Sequence, residues 1–170
     1  VLNALLDNET FYATYVNRWA DLGNTYFTCD YMHAVLDSMV LVIAPEMPRQ
    51  CARWGGDVAG WQFELQELRD FIDDRCESEL LSGMEDCYDV TPVTLTLEIV
   101  GQGDVQINTV DITPAESPFS GFYFEELPIA LTAEENYGVQ FLFWEITAGS
   151  APLADPSNLV WEVNLEGDIT

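Results

Sequence analysis

The chain has no lysine, a single histidine (His33) and no basic residue after Arg75. Its five bases are Arg18, Arg49, Arg53, Arg69 and Arg75, so residues 91–170 carry thirteen acids and no base at all. A surface of this sign repels phosphate backbones and anionic lipid heads, which argues against nucleic-acid and membrane-surface partners. Long apolar runs are missing too. The longest, Met39-Val40-Leu41-Val42-Ile43-Ala44, is far too short to cross a bilayer, so no membrane insertion is expected. No basic stretch followed by an apolar one opens the chain, and any signal peptide is expected to have been removed or to lie upstream. The four cysteines, Cys29, Cys51, Cys76 and Cys87, contain no CxxC, and no histidine completes a zinc signature with them. No metal ligand and no cofactor are read from the pattern.

What is present is acid and core. Thirty acids against five bases give a formal charge of −25, while 48% hydrophobic residues with 12% aromatics are ample for a packed interior. Self-repulsion of that size destabilises a compact state unless salt screens it, over a Debye length of about 8 Å at physiological ionic strength. A salt-adapted (halophilic or marine) source would suit the composition. An even cysteine count fits an oxidising compartment, secreted or at the cell surface, although buried free thiols would explain it equally well. Four cysteines allow three pairings. If a disulfide forms, Cys76–Cys87 is favoured. Cys29 and Cys51 flank a helix of some fifteen residues that holds them roughly 22 Å apart, whereas Gly83 would let the chain turn between Cys76 and Cys87.

The first half reads as helices and the second as strands. Asn8 caps a helix with Phe11, Tyr15, Trp19 and Leu22 on one stripe, ended by Gly23-Asn24. Thr28 caps a second, with Met32, Val35, Leu36, Met39, Val40 and Ile43 toward a core. Pro45 and Pro48 allow a short turn through Trp54, and Asp57 opens a long helix bearing Trp61, Leu65, Leu68 and Ile72, with Gly83 as its stop. Its acids, among them Asp73 and Asp74, read as a solvated face. From Val93 the period becomes two: strands are expected at 93–99, 105–107, 122–124, 129–133, 139–146 and 159–165. The fold class is therefore α+β. Residues 1–88 form a helical segment and residues 91–170 an antiparallel, sandwich-like β module, joined near Cys87–Pro92.

No residue set carries a complete chemistry. His33 lies inside a helix with no G-x-S-x-G in the chain, so a structural or exposed role is expected. Gly101-Gln102-Gly103 stands between strands and is a turn, with no helix N-terminus to hold a pyrophosphate. Asp73-Asp74, Glu125-Glu126 and Glu134-Glu135 are pairs that thirty acids produce without a glycosidic site. Calcium is the cation such acids would suit, but no EF-hand loop names its ligands. Trp144, Phe122 and Tyr123 read as core before they read as a sugar platform.

Resemblance adds a parent. Leu5-Leu6-Asp7-Asn8 with Phe11, Arg18 and Ala20-Asp21-Leu22, Ile43-Ala44-Pro45-Glu46-Met47, Arg53-Trp54, Trp61, and Leu68-Arg69-Asp70-Phe71 with Arg75 resemble the C-terminal part of CotH-type secreted kinases. The likeness implies that these helices belong to a kinase-like C-lobe whose nucleotide-binding lobe and catalytic acids precede Val1. No catalytic residue carries over, and Arg18, Arg53, Arg69 and Arg75 are expected in helix-packing ion pairs. Val93-Thr94-Leu95-Thr96, Gly101-Gln102-Gly103, 128–133 and Phe141-Leu142-Phe143-Trp144 are similar to divergent internalin-type B repeats of bacterial surface proteins, which implies one further strand after Thr170. Two functions follow. One is a non-catalytic end of a cell-envelope kinase-like protein, its β module a spacer, anchor or adhesion unit meeting a cell-surface partner. The other is a free-standing extracellular module binding a ligand or calcium.

Overall fold

The computed structural model describes residues 2–170, and helices give way to antiparallel strands between Tyr88 and Pro92, where the hydrophobic period changes. Packing divides the chain along different lines from that change of period. One compact unit comprises residues 2–24 with Met84–Thr170, and the other is Thr25–Gly83. The first two helices thus share a unit with the strands.

In that first unit, α1 (Leu2–Leu6) leads to α2 (Glu9–Gly23), whose N-cap Asn8 accepts a hydrogen bond from the Phe11 N–H at 2.9 Å. Six strands follow: β1 (Pro92–Leu97), β2 (Asp104–Ile107), β3 (Val110–Ile112), β4 (Phe119–Phe124), β5 (Pro128–Glu134) and β6 (Val160–Asn164). They form two antiparallel sheets, β1-β4 and β3-β2-β5-β6. The C-terminal chain adds to β1 in parallel at Leu95–Ile169. Alternation places Val93, Leu95 and Leu97 of β1, and Ile129, Leu131 and Ala133 of β5, in the core. α2 joins them through Val16 and Ala20, both fully buried.

The expected strand at 139–146 does not pair. Its backbone is spent elsewhere: the Trp144 N–H donates to Pro156 O at 2.7 Å and the Phe141 N–H to Glu135 Oε1 at 2.9 Å. Phe141 and Trp161 flank the Trp144 ring at 5.0 and 6.2 Å, so apolar alternation here fills a loop-borne aromatic cluster. Strand β3, three residues long, is too short to show a period in the sequence.

The second unit contains α3 (Cys29–Ile43), a 3₁₀ turn (Ala44–Glu46), α4 (Met47–Trp54), α5 (Val58–Asp74) and a π-helical turn (Arg75–Glu79). Thr28 and Asp57 are the N-caps expected of them, accepting from the Tyr31 and Gly60 N–H groups. Gly83 does not stop the helix. The chain runs through it in α6 (Leu80–Tyr88), its backbone remaining helical there.

The pairing Cys76–Cys87 is corrected. The bridge is Cys29–Cys76, with Cα atoms 5.3 Å apart, and Cys51 and Cys87 are free. α3 and α5 run side by side in opposite directions, so the start of one meets the end of the other. Helix length argues against Cys29–Cys51, but it says nothing about a third helix returning to Cys29.

Candidate functional site

Within the first unit the densest polar contact surrounds Asp21, which is buried at 1% exposure. Asn108 and Thr109 form the tight turn between β2 and β3, with Asn108 at φ 50°, a left-handed backbone that asparagine tolerates. The Thr109 N–H and Oγ1–H donate to Asp21 Oδ2 at 3.2 and 2.5 Å, and Asn108 Nδ2 donates to Oδ1 at 3.4 Å. Arg18 donates to the same Thr109 hydroxyl. Burial pushes the Asp21 carboxyl above the usual range, while the Thr109 and Asn108 hydrogen bonds and the Arg18 charge act the other way. Burial and the Asp21 charge together also raise Tyr123. One turn earlier, Asn17 donates from Nδ2 to Pro128 O at 2.6 Å, and its buried Oδ1 has no hydrogen-bond partner among the described residues. These groups line an open groove of about 860 Å³ with Glu9, Leu6 and Leu127 at its walls. A carboxylate so enclosed, held by a hairpin tip, acts as an anchor; a general acid or base needs a path to its proton.

Asn24 anchors the other end of α2. Its Nδ2 donates to Phe122 O and its Oδ1 accepts from the Phe122 N–H. A side chain therefore satisfies both polar groups of one residue on β4, as a neighbouring strand would.

In the second unit the apolar faces stay open. No residue from Thr25 to Gly83 is buried, and Met39, Leu41 and Val42 are 60%, 78% and 76% exposed. The stripe Met32, Val35, Leu36 and Met39 borders a shallow cleft of about 380 Å³ with Tyr26 and Ile72. The sequence assigned this stripe to a core, but three short helices cannot close one around themselves.

The polar face of the same helices is more ordered than a solvated one. His33 Nε2 lies 2.6 Å from Asp73 Oδ1, Arg69 lies 3.5 Å from His33 Nδ1, and Arg69 also pairs with Asp37. With Cys29–Cys76, each contact lies one turn further along α3 and one turn back along α5. Asp73 therefore departs from the solvated-face reading, and His33 is held by a partner forty positions away. Nothing local signals that partner.

The arginines serve varied ends. Of Arg18, Arg53, Arg69 and Arg75, Arg69 alone is in an ion pair between helices among the described residues. Arg53 and Arg75 lie 5.1 Å over the Trp54 and Phe71 rings, and Arg18 bonds a hydroxyl. Arg49 pairs locally with Glu46 at 3.1 Å. Trp144 and Tyr123 are buried, as core. Among the described residues no helix is long and apolar enough to cross a membrane.

No curated protein and no solved structure matches the chain. Residues 1–78 match the family model described as CotH kinase protein, a stretch that takes in α1 to α5 and both cysteines of the bridge. Over those residues, somewhat under half of the 170, the chain is similar to CotH kinase proteins.

Proposed function

We propose that this chain is a non-catalytic, C-terminal part of a secreted, cell-envelope-associated CotH-kinase-like protein. Its helices complete a kinase-like lobe formed with preceding sequence of the same parent. The carrying observation is the open apolar face of the second unit: a segment similar to CotH kinase proteins presents Met39, Leu41 and Val42 to solvent and buries no residue. Exposed apolar surface of that continuity marks a contact. The Cys29–Cys76 bridge supports an oxidising compartment. The β module, similar to internalin-type repeats, then serves as spacer, anchor or adhesion unit, and its turn-anchored α2 ties it to the lobe's last helices in sequence.

Paired aspartate substitutions test this reading. In the chain alone, Leu41→Asp with Val42→Asp changes two solvated positions in the last turn of α3, and stability should fall by only about 1–2 kcal/mol, from the helix dipole and the lower helix propensity of aspartate. In the parent protein the same pair would bury two charges and should lower the melting temperature sharply or prevent folding. Equal, small effects in both contexts contradict the proposal and favour a free-standing ligand- or calcium-binding module.

A further inference from the structure

Two asparagines of the first unit use both halves of their amides. Asn24 donates from Nδ2 to Phe122 O and accepts at Oδ1 from the Phe122 N–H. Asn108 donates from Nδ2 to Asp21 and accepts at Oδ1 from the Ala130 N–H at 2.9 Å. Asn17 uses one half only. Its Nδ2 donates to Pro128 O at 2.6 Å, but its Oδ1, in a residue 7% exposed, has no donor among the described residues. A buried acceptor without a donor destabilises a fold, and native chains leave few of them.

This acceptor belongs to the floor of a groove. Ala13, Asn17 and Asp21 stand one turn apart on α2 and line one side, while Leu127 and Pro128 line the other. The bond from Asn17 to Pro128 therefore crosses between the two sides. Every lining residue falls within the first compact unit. What the groove lacks is a donor. Asp21 is already held by Thr109 and Asn108, and Arg18 donates to Thr109 beside it, where the Asp21 charge attracts it. Glu9 and Glu126 line the same groove, are exposed, and form no ion pair among the described residues.

An ammonium carries three donors and no acceptor, and its aliphatic stem suits apolar walls such as Leu6 and Leu127. One acceptor waits at the floor, without the paired oxygens that a guanidinium fork matches. The chain has no lysine, so the ammonium must come from another molecule. At about 860 Å³ and open, the groove is far larger than one alkylammonium, and it has room for the residues on either side of a lysine.

We propose that this groove binds a lysine side chain presented by a partner polypeptide. The ammonium donates to Asn17 Oδ1, Glu9 and Glu126 balance its charge, and the stem lies along Leu6 and Leu127. The net charge of −25 draws a basic partner in from a distance. This inference does not rest on the lobe reading, because the groove lies outside Thr25–Gly83.

NMR titration of the ¹⁵N-labelled full chain with acetyl-Ala-Ala-Lys-Ala-Ala-amide, at physiological salt, tests it. The Asn17 side-chain NH₂ and the backbone amides of Ala13 and Leu127 should shift and saturate. The same peptide with norleucine in place of lysine keeps the stem and loses the head, and should bind about ten-fold more weakly or worse. Free n-butylamine should also bind more weakly than the lysine peptide. Glu9→Gln with Glu126→Gln should weaken lysine-peptide binding roughly five-fold. Glu64→Gln with Glu67→Gln removes the same charge from the exposed face of α5 and should change it by less than about two-fold. Asn17→Ala, first shown folded by its melting transition, should lower affinity by about ten-fold or more. Should that variant fail to fold, the exposed Glu9 and Glu126 pair still decides the matter. The proposal is overturned if no saturable shift appears at the groove, or if the norleucine peptide or n-butylamine binds as well as the lysine peptide. It is equally overturned if the Glu64 and Glu67 pair weakens binding as much as the Glu9 and Glu126 pair does.

Discussion

Asn24 holds Phe122 by both of its backbone polar groups, Nδ2 donating to the carbonyl at 2.8 Å and Oδ1 accepting from the N–H at 3.0 Å. The end of α2 thereby takes the place of a strand beside β4. Gly121 permits the approach, because a Cβ there would lie 2.9 Å from Asn24 Cγ. Asn24→Ala leaves both Phe122 groups without their partner and should cost about 1–3 kcal/mol, read from denaturant midpoints. Gly121→Ala should also destabilise, because the asparagine must withdraw. A neutral result for both would mean that the clasp contributes nothing net.

Asp21 should give stability a pH signature. Burial raises its carboxyl above the ordinary 3.8, so the folded chain binds this proton more tightly than the unfolded chain does. Its contribution is full below the unfolded value and is lost as pH rises through the folded one. Asp21→Asn lacks that titration. The melting temperature of the parent chain minus that of the variant should therefore fall as pH rises above the unfolded carboxyl's 3.8. A difference independent of pH contradicts the shift. Asp21→Ala should be worse than Asp21→Asn, since the Thr109 and Asn108 donors lose every acceptor.

Much of this fold is legible in the sequence, and the gaps have physical causes. The caps Asn8, Thr28 and Asp57 were readable because an N-cap is a local event: a side chain bonds an N–H a few residues on. Residues 139–146 show a strand's alternation without a strand, because period two reports which side chains are inward but not whether the backbone finds a ladder. Cys29–Cys76 and His33–Asp73 depend on the return of α5 along α3, a tertiary fact that separations of forty positions or more conceal. Asp21 gives no local signal of burial, because an acid on a helix ordinarily faces water. Only the hairpin tip at Asn108-Thr109 makes it a core residue.

The charge of −25 should make stability rise with salt. Thermal melts in low and high sodium chloride read this directly, and an unchanged or falling midpoint would show that self-repulsion is not limiting.

The chain alone should transfer no phosphate from ATP. Phosphoryl transfer needs cations around the β- and γ-phosphates, yet there is no lysine, and all five arginines are engaged by hydroxyl, carboxylate or ring partners. Incubation with radiolabelled ATP, magnesium or manganese and a generic acceptor should give no transfer above a heat-treated control. Transfer abolished by changing an acid of this chain would reveal a complete active site within it.

If other sequence of the parent covers the open faces of α3 and α5, amide hydrogen exchange reads that cover residue by residue. The comparison is between this chain and the parent protein that includes the preceding sequence, both oxidised and in the same salt. Amides of Thr25–Gly83 should exchange more slowly in the parent by roughly an order of magnitude or more, most of all around Met39, Leu41 and Val42, while those of β2 and β5 stay as they are. Equal exchange across Thr25–Gly83 in the two proteins would mean that nothing in the parent covers these helices.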